Sequence, residues 1–278
     1  MGAVSTSNAG RTAYGAAFMK AVEAFTPPAQ RLFEDNVTPR LLPSTARGLL
    51  RVGPLRRGLL RLLERRVPGL YGGMVCRTRY IDDALRAARP KELFILGAGL
   101  DSRPYRMKEL VNARVVEVDK PAMVAAKREA TGSLGTHVEY APIDFETERL
   151  EDRVEVRSKA FFIWEGVTQY LRRAAVDDVL RWVARAPRGS ELVFTYVPLE
   201  VIEGRSTLFG AAAARSASKR APWITGFDPA LLGQELHRFG LELCEDSGAA
   251  EHRARYLAPI GRTLAVFEIE RIARARVP

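Results

Sequence analysis

KELFILGAGLDSR, residues 91–103, sets the architecture of this chain. A short apolar run that ends in glycines reads as a buried strand entering a tight turn, and it starts just after Pro90, where the sequence pattern changes. The same pattern repeats downstream. RVVEVD at 114–119, HVEYAPID at 137–144, KAFFIWEG at 159–166 and SELVFTYV at 190–197 read as further strands, with helical spacing at 121–130 and 172–186 between them. Strands alternating with helices predict a parallel sheet covered on both faces, the doubly wound α/β class. A capped helix at 228–239, a weaker strand at 241–246 and a stronger one at 262–271 (RTLAVFEIER) close the chain. The last two strands are joined by only 15 residues, 247–261, so the pattern leaves the direction of the final strand open.

Upstream of the first strand, residues 11–89 follow helical spacing broken at Pro27, Pro28, Pro39, Pro43, Pro54 and Pro68, each predicted to end or turn a helix. The expected division is a helical N-terminal cover over 1–89 and an α/β domain over 90–278, with an insertion rich in Ala, Ser, Arg and Gly at 198–227 acting as a lid. Between Arg40 and Arg66 eight arginines face a single acid, Glu64. Leu55, Leu59, Leu62 and Leu63 recur there at helical spacing, which predicts an amphipathic helix with an arginine-rich outer face. Such a face can attract an acidic substrate, a partner or a membrane surface, or can simply be solvated.

Composition narrows the class. With 47% apolar and 27% charged residues the chain reads as an ordinary globular protein, and no apolar run approaches the roughly 20 residues of a membrane span. The first eleven residues lack the cationic and apolar regions of a secretory signal, so a cytoplasmic location is expected. Cys76 and Cys244 lie far apart without C-x-x-C spacing, which predicts two buried thiols and no metal site.

In an open α/β sheet, ligands bind beyond the carboxyl ends of the strands, so residues ending strands carry the functional signal. Gly97 and Gly99 let the backbone turn sharply and approach a ligand closely, although Ser102 stands where a dinucleotide fingerprint has its third glycine. Asp119 ends the second strand twenty residues after Gly99, where a carboxylate can accept hydrogen bonds from ribose hydroxyls; a nicotinamide cofactor and S-adenosylmethionine both fit. Asp144 and Phe145 offer an acceptor and an apolar face to an adenine. Glu165, behind the apolar run FFIW, is a carboxylate that a nearby ammonium or sulfonium would compensate. Structural readings stand beside these, since glycines shape turns, Asp119 can cap the helix that opens at Lys120-Pro121 and Asp144 can cap a turn. Acids ending three consecutive strands favour a nucleoside-cofactor site.

LGAGLDSRPYRM, VVEVDKPAMVAAK, IDFE and WEGVTQYL, in this order, resemble the leucine carboxyl methyltransferase-like family of class I methyltransferases, over about residues 77–197. Gly10-Arg11-Thr12-Ala13 is similar to the N-terminal signature of that family. The resemblance implies a Rossmann-like, mostly parallel seven-stranded sheet with the last strand antiparallel, and S-adenosylmethionine as cofactor. It implies that Arg77 grips the cofactor's carboxylate near the acceptor and that Arg11 closes over the same end. Gly97 and Gly99 pass beneath the methionine portion, Asp119 holds the ribose, Asp144 and Phe145 the adenine, Glu165 the amino-acid end, and Tyr170 faces the acceptor. LDSR and DF stand where typical members read LDTR and DL, while residues 40–71 and 198–227 align with nothing in the family, which leaves the acceptor undefined.

The function expected is methyl transfer to an oxygen of a small molecule, a carboxylate or hydroxyl of a secondary metabolite, with a protein C-terminal carboxylate as the alternative. None of His137, His237 and His252 follows a parallel strand end, so no histidine offers itself as a base, and an acceptor that is already anionic is favoured. A nicotinamide-dependent dehydrogenase is disfavoured by the missing third glycine and by the long segment ahead of the first strand. A binding scaffold without turnover is disfavoured by the intact Arg77, Asp119, Asp144 and Glu165. No nucleic-acid partner is expected.

Overall fold

The computed structural model of the chain describes residues 8–132, 134, 137–212 and 222–278, with side chains for all of these except Asn8, Ala9 and Arg11. The broken helical region resolves into α1 (Asn8–Glu23), α2 (Ser44–Arg51), α3 (Gly53–Arg66) and α4 (Leu70–Ala88). Prolines act as the spacing predicts: Pro43 immediately precedes α2, and Pro54 sits in the first turn of α3, where its missing N–H costs nothing. Behind them come β1 (Glu92–Leu96), β2 (Arg114–Asp119), α5 (Pro121–Thr131), β3 (Val138–Pro142), β4 (Ala160–Trp164), α6 (Arg173–Ala184), β5 (Glu191–Tyr196), α7 (Leu232–Arg238), β6 (Glu242–Ser247) and β7 (Arg271–Arg276).

The strands form one seven-stranded sheet in the order β3-β2-β1-β4-β5-β7-β6. β1 to β5 run parallel, and β7 inserts antiparallel between β5 and β6. The strand order reverses between β1 and β4, so a crevice opens there beyond their carboxyl ends. Period-two alternation explains the two cores. Leu93, Ile95, Phe161 and Ile163 pack with Ala17 and Ala21 of α1 and Val75 and Ile81 of α4. Phe94, Leu96, Phe162 and Trp164 pack the other face with Val176 and Leu180 of α6 and Leu232 and Leu236 of α7. Among the described residues no helix is long and apolar enough to cross a membrane.

Three details depart from expectation. The final strand is β7 at Arg271–Arg276, not 262–271. The apolar alternation of 262–270 is spent on tertiary packing: Phe267 N–H donates to Gly69 O, its ring fills the space a side chain on Gly73 would need, and Phe267 and Ile269 join a small cluster with Val197 and Val201. The basic stretch RIARAR pairs instead, because Ala273 and Ala275 are small enough to be fully buried and β6 supplies Asp246 to Arg271 and Glu242 to Arg276. Cys244 is exposed rather than buried, since a bulge between Leu243 and Glu245 turns it out of the edge strand β6. On α3, Leu59 and Leu63 are half-buried as expected, whereas Leu55 and Leu62 stand out in solvent.

Candidate active site

The turn after β1 builds the floor of the site. Gly97 adopts φ +72° and Gly99 φ +49°, left-handed values that favour glycine. Both Gly97 N–H and Ala98 N–H donate to Val118 O, at 2.7 and 3.1 Å, which folds the turn back over β2. Gly99 N–H then donates to Asp119 Oδ2 at 2.7 Å, while Asp119 Oδ1 accepts from Lys120 N–H at 2.7 Å. Each carboxylate oxygen keeps a lone pair for a further donor. Burial pushes the Asp119 carboxyl above its ordinary range, with those two N–H groups pulling it back. Asp119 does not cap α5. The two glycines differ in use: a Cβ on Gly97 would run into Val167 Cγ2, so that space is already filled, whereas among the described residues a Cβ on Gly99 would meet only Ala13 of α1, at 3.4 Å.

Asp144, beyond β3, accepts from Glu146 N–H at 3.1 Å and receives Lys120 Nζ at 3.1 Å, so one lysine links the ends of β2 and β3. Phe145 is 9% exposed and packs into the core beneath the same edge. The turn-capping reading of Asp144 is thus realised, and Phe145 is largely taken up by the core, so any further role uses the groups left over.

Glu165, at the end of β4, is the hub of a buried ion network. Its Oε1 accepts from Lys20 Nζ at 2.8 Å and Arg77 Nε at 2.9 Å, and its Oε2 from Arg103 at 2.8 Å. Burial alone would raise its carboxyl, but Lys20, Arg103 and Arg77 together hold it well below the usual carboxylate range. Arg77 projects from α4 and also meets Glu270 at 2.6 Å. Arg103 reaches Asp101 at 2.5 Å and Asp82 at 2.9 Å, and Arg106 reaches Asp82 at 2.8 Å and Asp35 at 3.5 Å. Among the described residues, four cations (Lys20, Arg77, Arg103, Arg106) thus meet five carboxylates (Asp35, Asp82, Asp101, Glu165, Glu270). Gly166, at φ +70°, leaves the Arg77 guanidinium uncovered on its side, where a Cβ would sit 3.8 Å from both terminal nitrogens.

Tyr170 lies half-buried beside this network. Its side chain hydrogen-bonds with those of Trp223 and Thr12 and feels the charges of Glu270 and Arg77; burial, aided by Glu270, raises its pKa. The insertion is anchored to the same loop, through Ile224 N–H to Gln169 O and Thr225 Oγ1 to Leu171 O.

The residues expected from sequence therefore gather as two neighbouring groups: Gly97, Gly99, Asp119, Asp144 and Phe145 along β1 to β3, and Arg77, Glu165 and Tyr170 along β4. The Arg11 side chain lies outside the described residues, as does the insertion at 213–221. Seven residues of the network (Lys20, Asp35, Asp82, Asp101, Arg103, Arg106 and Glu270) were missed, as was Trp223. Asp101 and Arg103 stand within the quoted turn sequence, while Lys20 gives no local signal at all. Glu270 was hidden by the misplaced last strand: because β7 runs antiparallel and Arg271 pairs with Tyr196, the residue before it arrives at the carboxyl end of β5. Among the described residues no group of three His, Cys, Asp or Glu side chains is placed to hold a metal ion.

Residues 13–184 match the family model of leucine carboxyl methyltransferase. The chain belongs to that family. Among relatives, a protein of Parafrankia sp. (strain EAN1pec), provisionally named an S-adenosyl-L-methionine-dependent methyltransferase, is 29% identical over 191 residues, 65% of this chain and 60% of its own length. A Mycolicibacterium vanbaalenii protein of the same provisional name is 39% identical over 169 residues, 56% of this chain and 54% of its own. The chain thus spans under two thirds of the length of these curated relatives. A solved methyltransferase structure from Thermobifida fusca superposes with a TM-score of 0.59 at 17% identity, covering 80% of this chain and 88% of that one, a likeness of fold. Membership of the leucine carboxyl methyltransferase family agrees with the class I sheet order and with the antiparallel β7.

Proposed function

We propose that this protein is an S-adenosylmethionine-dependent methyltransferase that transfers a methyl group to an oxygen of a small molecule. The observation that carries the reading is the pairing of two strand-end carboxylates: Asp119, each of whose oxygens keeps a lone pair beside the glycine turn, and Glu165, held ionised by Lys20, Arg103 and Arg77. S-adenosylmethionine offers ribose hydroxyls to the first and an ammonium to the second, and would supply an electrophilic methyl for in-line displacement. The residues fit it. Asp119 keeps two lone pairs for ribose hydroxyls, and the Arg77 face left open by Gly166 suits a carboxylate. Lys20 and Arg103 hold Glu165 ionised to meet an ammonium, and Asp144, with the rim of Phe145, borders the adenine. In this reading Arg11 acts from α1 at the same end.

The acceptor end is Tyr170, Trp223, Arg77 and Glu270. The expectation of an anionic acceptor rested on the lack of a base, and Glu270 offers one: a carboxylate beside Tyr170 and close to Arg77. A hydroxyl acceptor gains a proton sink there, whereas an added carboxylate would find the described cations already matched by acids. We therefore favour a small-molecule hydroxyl over a carboxylate, with a protein C-terminus as the second reading. The N-terminal helices and the 198–227 insertion form the cover that excludes water, and the protein works in the cytoplasm.

The test is thermal shift and calorimetry with S-adenosylhomocysteine and NAD, followed by transfer of a labelled methyl to panels of phenols and carboxylic acids. S-adenosylhomocysteine should raise the melting temperature by mass action. A shift with NAD alone would refute the reading. Glu270→Gln should bind S-adenosylhomocysteine normally and transfer more slowly to phenols, with the largest loss at a pH where the phenol itself is not ionised.

A further inference from the structure

The eight arginines between Arg40 and Arg66 take no part in the site, and none of them forms an ion pair among the described residues. The undescribed positions contain no Asp or Glu that could serve them. Elsewhere arginines are commonly paired, as at Arg77, Arg103, Arg114 and Arg262. Glu64, the one acid in this stretch, is used by the backbone: it accepts from Gly69 N–H at 2.8 Å and Tyr71 N–H at 2.7 Å, bracing the start of α4.

The helix α3 that carries most of this charge has no fully buried residue. Its exposed arc divides in two. Arg57, Arg61 and Arg65, at four-residue spacing, form one edge; Leu55, Gly58 and Leu62, at spacings of three and four, form the other. Leu55 is 55% exposed and Leu62 46%. Val52, just before the helix, is 45% exposed, and Phe25, 40% exposed, lies under the Arg56 guanidinium at 4.3 Å. Leu55 and Leu62 thus share the exposed side of α3 with guanidiniums that no carboxylate pairs among the described residues.

We propose that this face, the exposed side of α3 with Val52 at its start, docks the protein peripherally on an anionic lipid bilayer. The charge requires an anionic occupant and excludes a second copy of the same face. The leucines decide among anions: a nucleic-acid backbone offers nothing to Leu55, Leu62 and Val52, whereas a bilayer interface takes a cationic edge at its headgroups and an apolar edge at its acyl boundary.

The full-length chain should be sedimented with vesicles of phosphatidylcholine alone and of phosphatidylcholine mixed with phosphatidylglycerol. Binding is expected only to the anionic vesicles and should weaken as salt rises. Replacing Arg57, Arg61 and Arg65 by Glu should weaken it at least about a hundredfold, since each basic residue near such a surface contributes roughly fivefold. Leu55→Ser with Leu62→Ser should weaken it about tenfold without changing net charge. These positions are exposed, so circular dichroism and S-adenosylhomocysteine binding should stay as in the parent. Equal binding to both vesicle types, binding to neither, or a serine pair that leaves vesicle affinity unchanged while duplex DNA binds as tightly would overturn the proposal; the first two outcomes need no variant.

Discussion

Replacing Asp119 by Ala separates a ligand-binding role from a bracing one. Each carboxylate oxygen already takes one backbone N–H, from Gly99 and from Lys120, and keeps one lone pair toward the turn. Two ribose hydroxyls would fill those pairs, each worth about 1.5–3 kcal/mol as a hydrogen bond to a charged group. Neighbouring bonds do not add fully, so the expected loss is roughly a hundred- to a thousandfold in affinity for S-adenosylhomocysteine. Folding should suffer less. Lys120 is exposed and its N–H finds water, Gly99 is half-buried, and removing a carboxylate that burial pushes upward relieves part of the cost. About 1–2 kcal/mol remains, a fall of a few degrees in melting temperature. Calorimetric titration of S-adenosylhomocysteine beside a thermal melt reads both. Unchanged affinity with a melting temperature lowered by about ten degrees or more would refute the reasoning and leave Asp119 as a brace for the glycine turn.

Two further perturbations probe the surroundings. Gly97→Ala forces a side chain into a left-handed backbone and against Val167, and should cost about 2–5 kcal/mol in chemical denaturation; adding Val167→Ala should recover the clash but not the backbone strain, and full recovery would show that φ is not constrained. Burial raises Glu117 to about 7 although Lys127 Nζ lies 2.6 Å away, and burial lowers His252 to about 4. Folded Glu117 keeps a proton that the unfolded chain releases near 4.5, so its contribution falls as pH rises toward 7; folded His252 refuses a proton that the unfolded chain takes near 6.5, so its contribution falls as pH drops toward 4. The two slopes oppose each other between about 4.5 and 6.5, so Glu117→Gln should make stability climb more steeply with pH there and His252→Asn should make it decline. Denaturation curves that keep the parent's pH dependence in both variants would exclude these two groups as its source.

Much of the fold and half of the site are legible because their signals are local. The strands β1 to β4 announce themselves within a few residues, each closed by glycine or an acid, and β5 does so by its apolar run alone. Gly97, Gly99, Asp119, Asp144 and Glu165 are found for the same reason, as residues that end strands. The broken helices of the first third follow from proline, which acts on the residues beside it.

What the tertiary structure decided depends on partners distant in sequence. Residues 262–270 and 271–276 both alternate as strands can, and the choice fell to the second because Gly69 and Gly73 leave room for Phe267 while the acids of β6 neutralise Arg271 and Arg276. That choice carried Glu270 to the site. Lys20 became a neighbour of Glu165 only when α1 packed on α4 and covered the strand ends. Likewise, spacing alone treats Leu55 and Leu59 as one apolar face, and only the packing of α3 shows that the first is left in water. Periodicity reports which side of an element a residue occupies, whereas ion-pair choice and burial are set by whatever lies across the gap, and that is fixed only once distant segments have met.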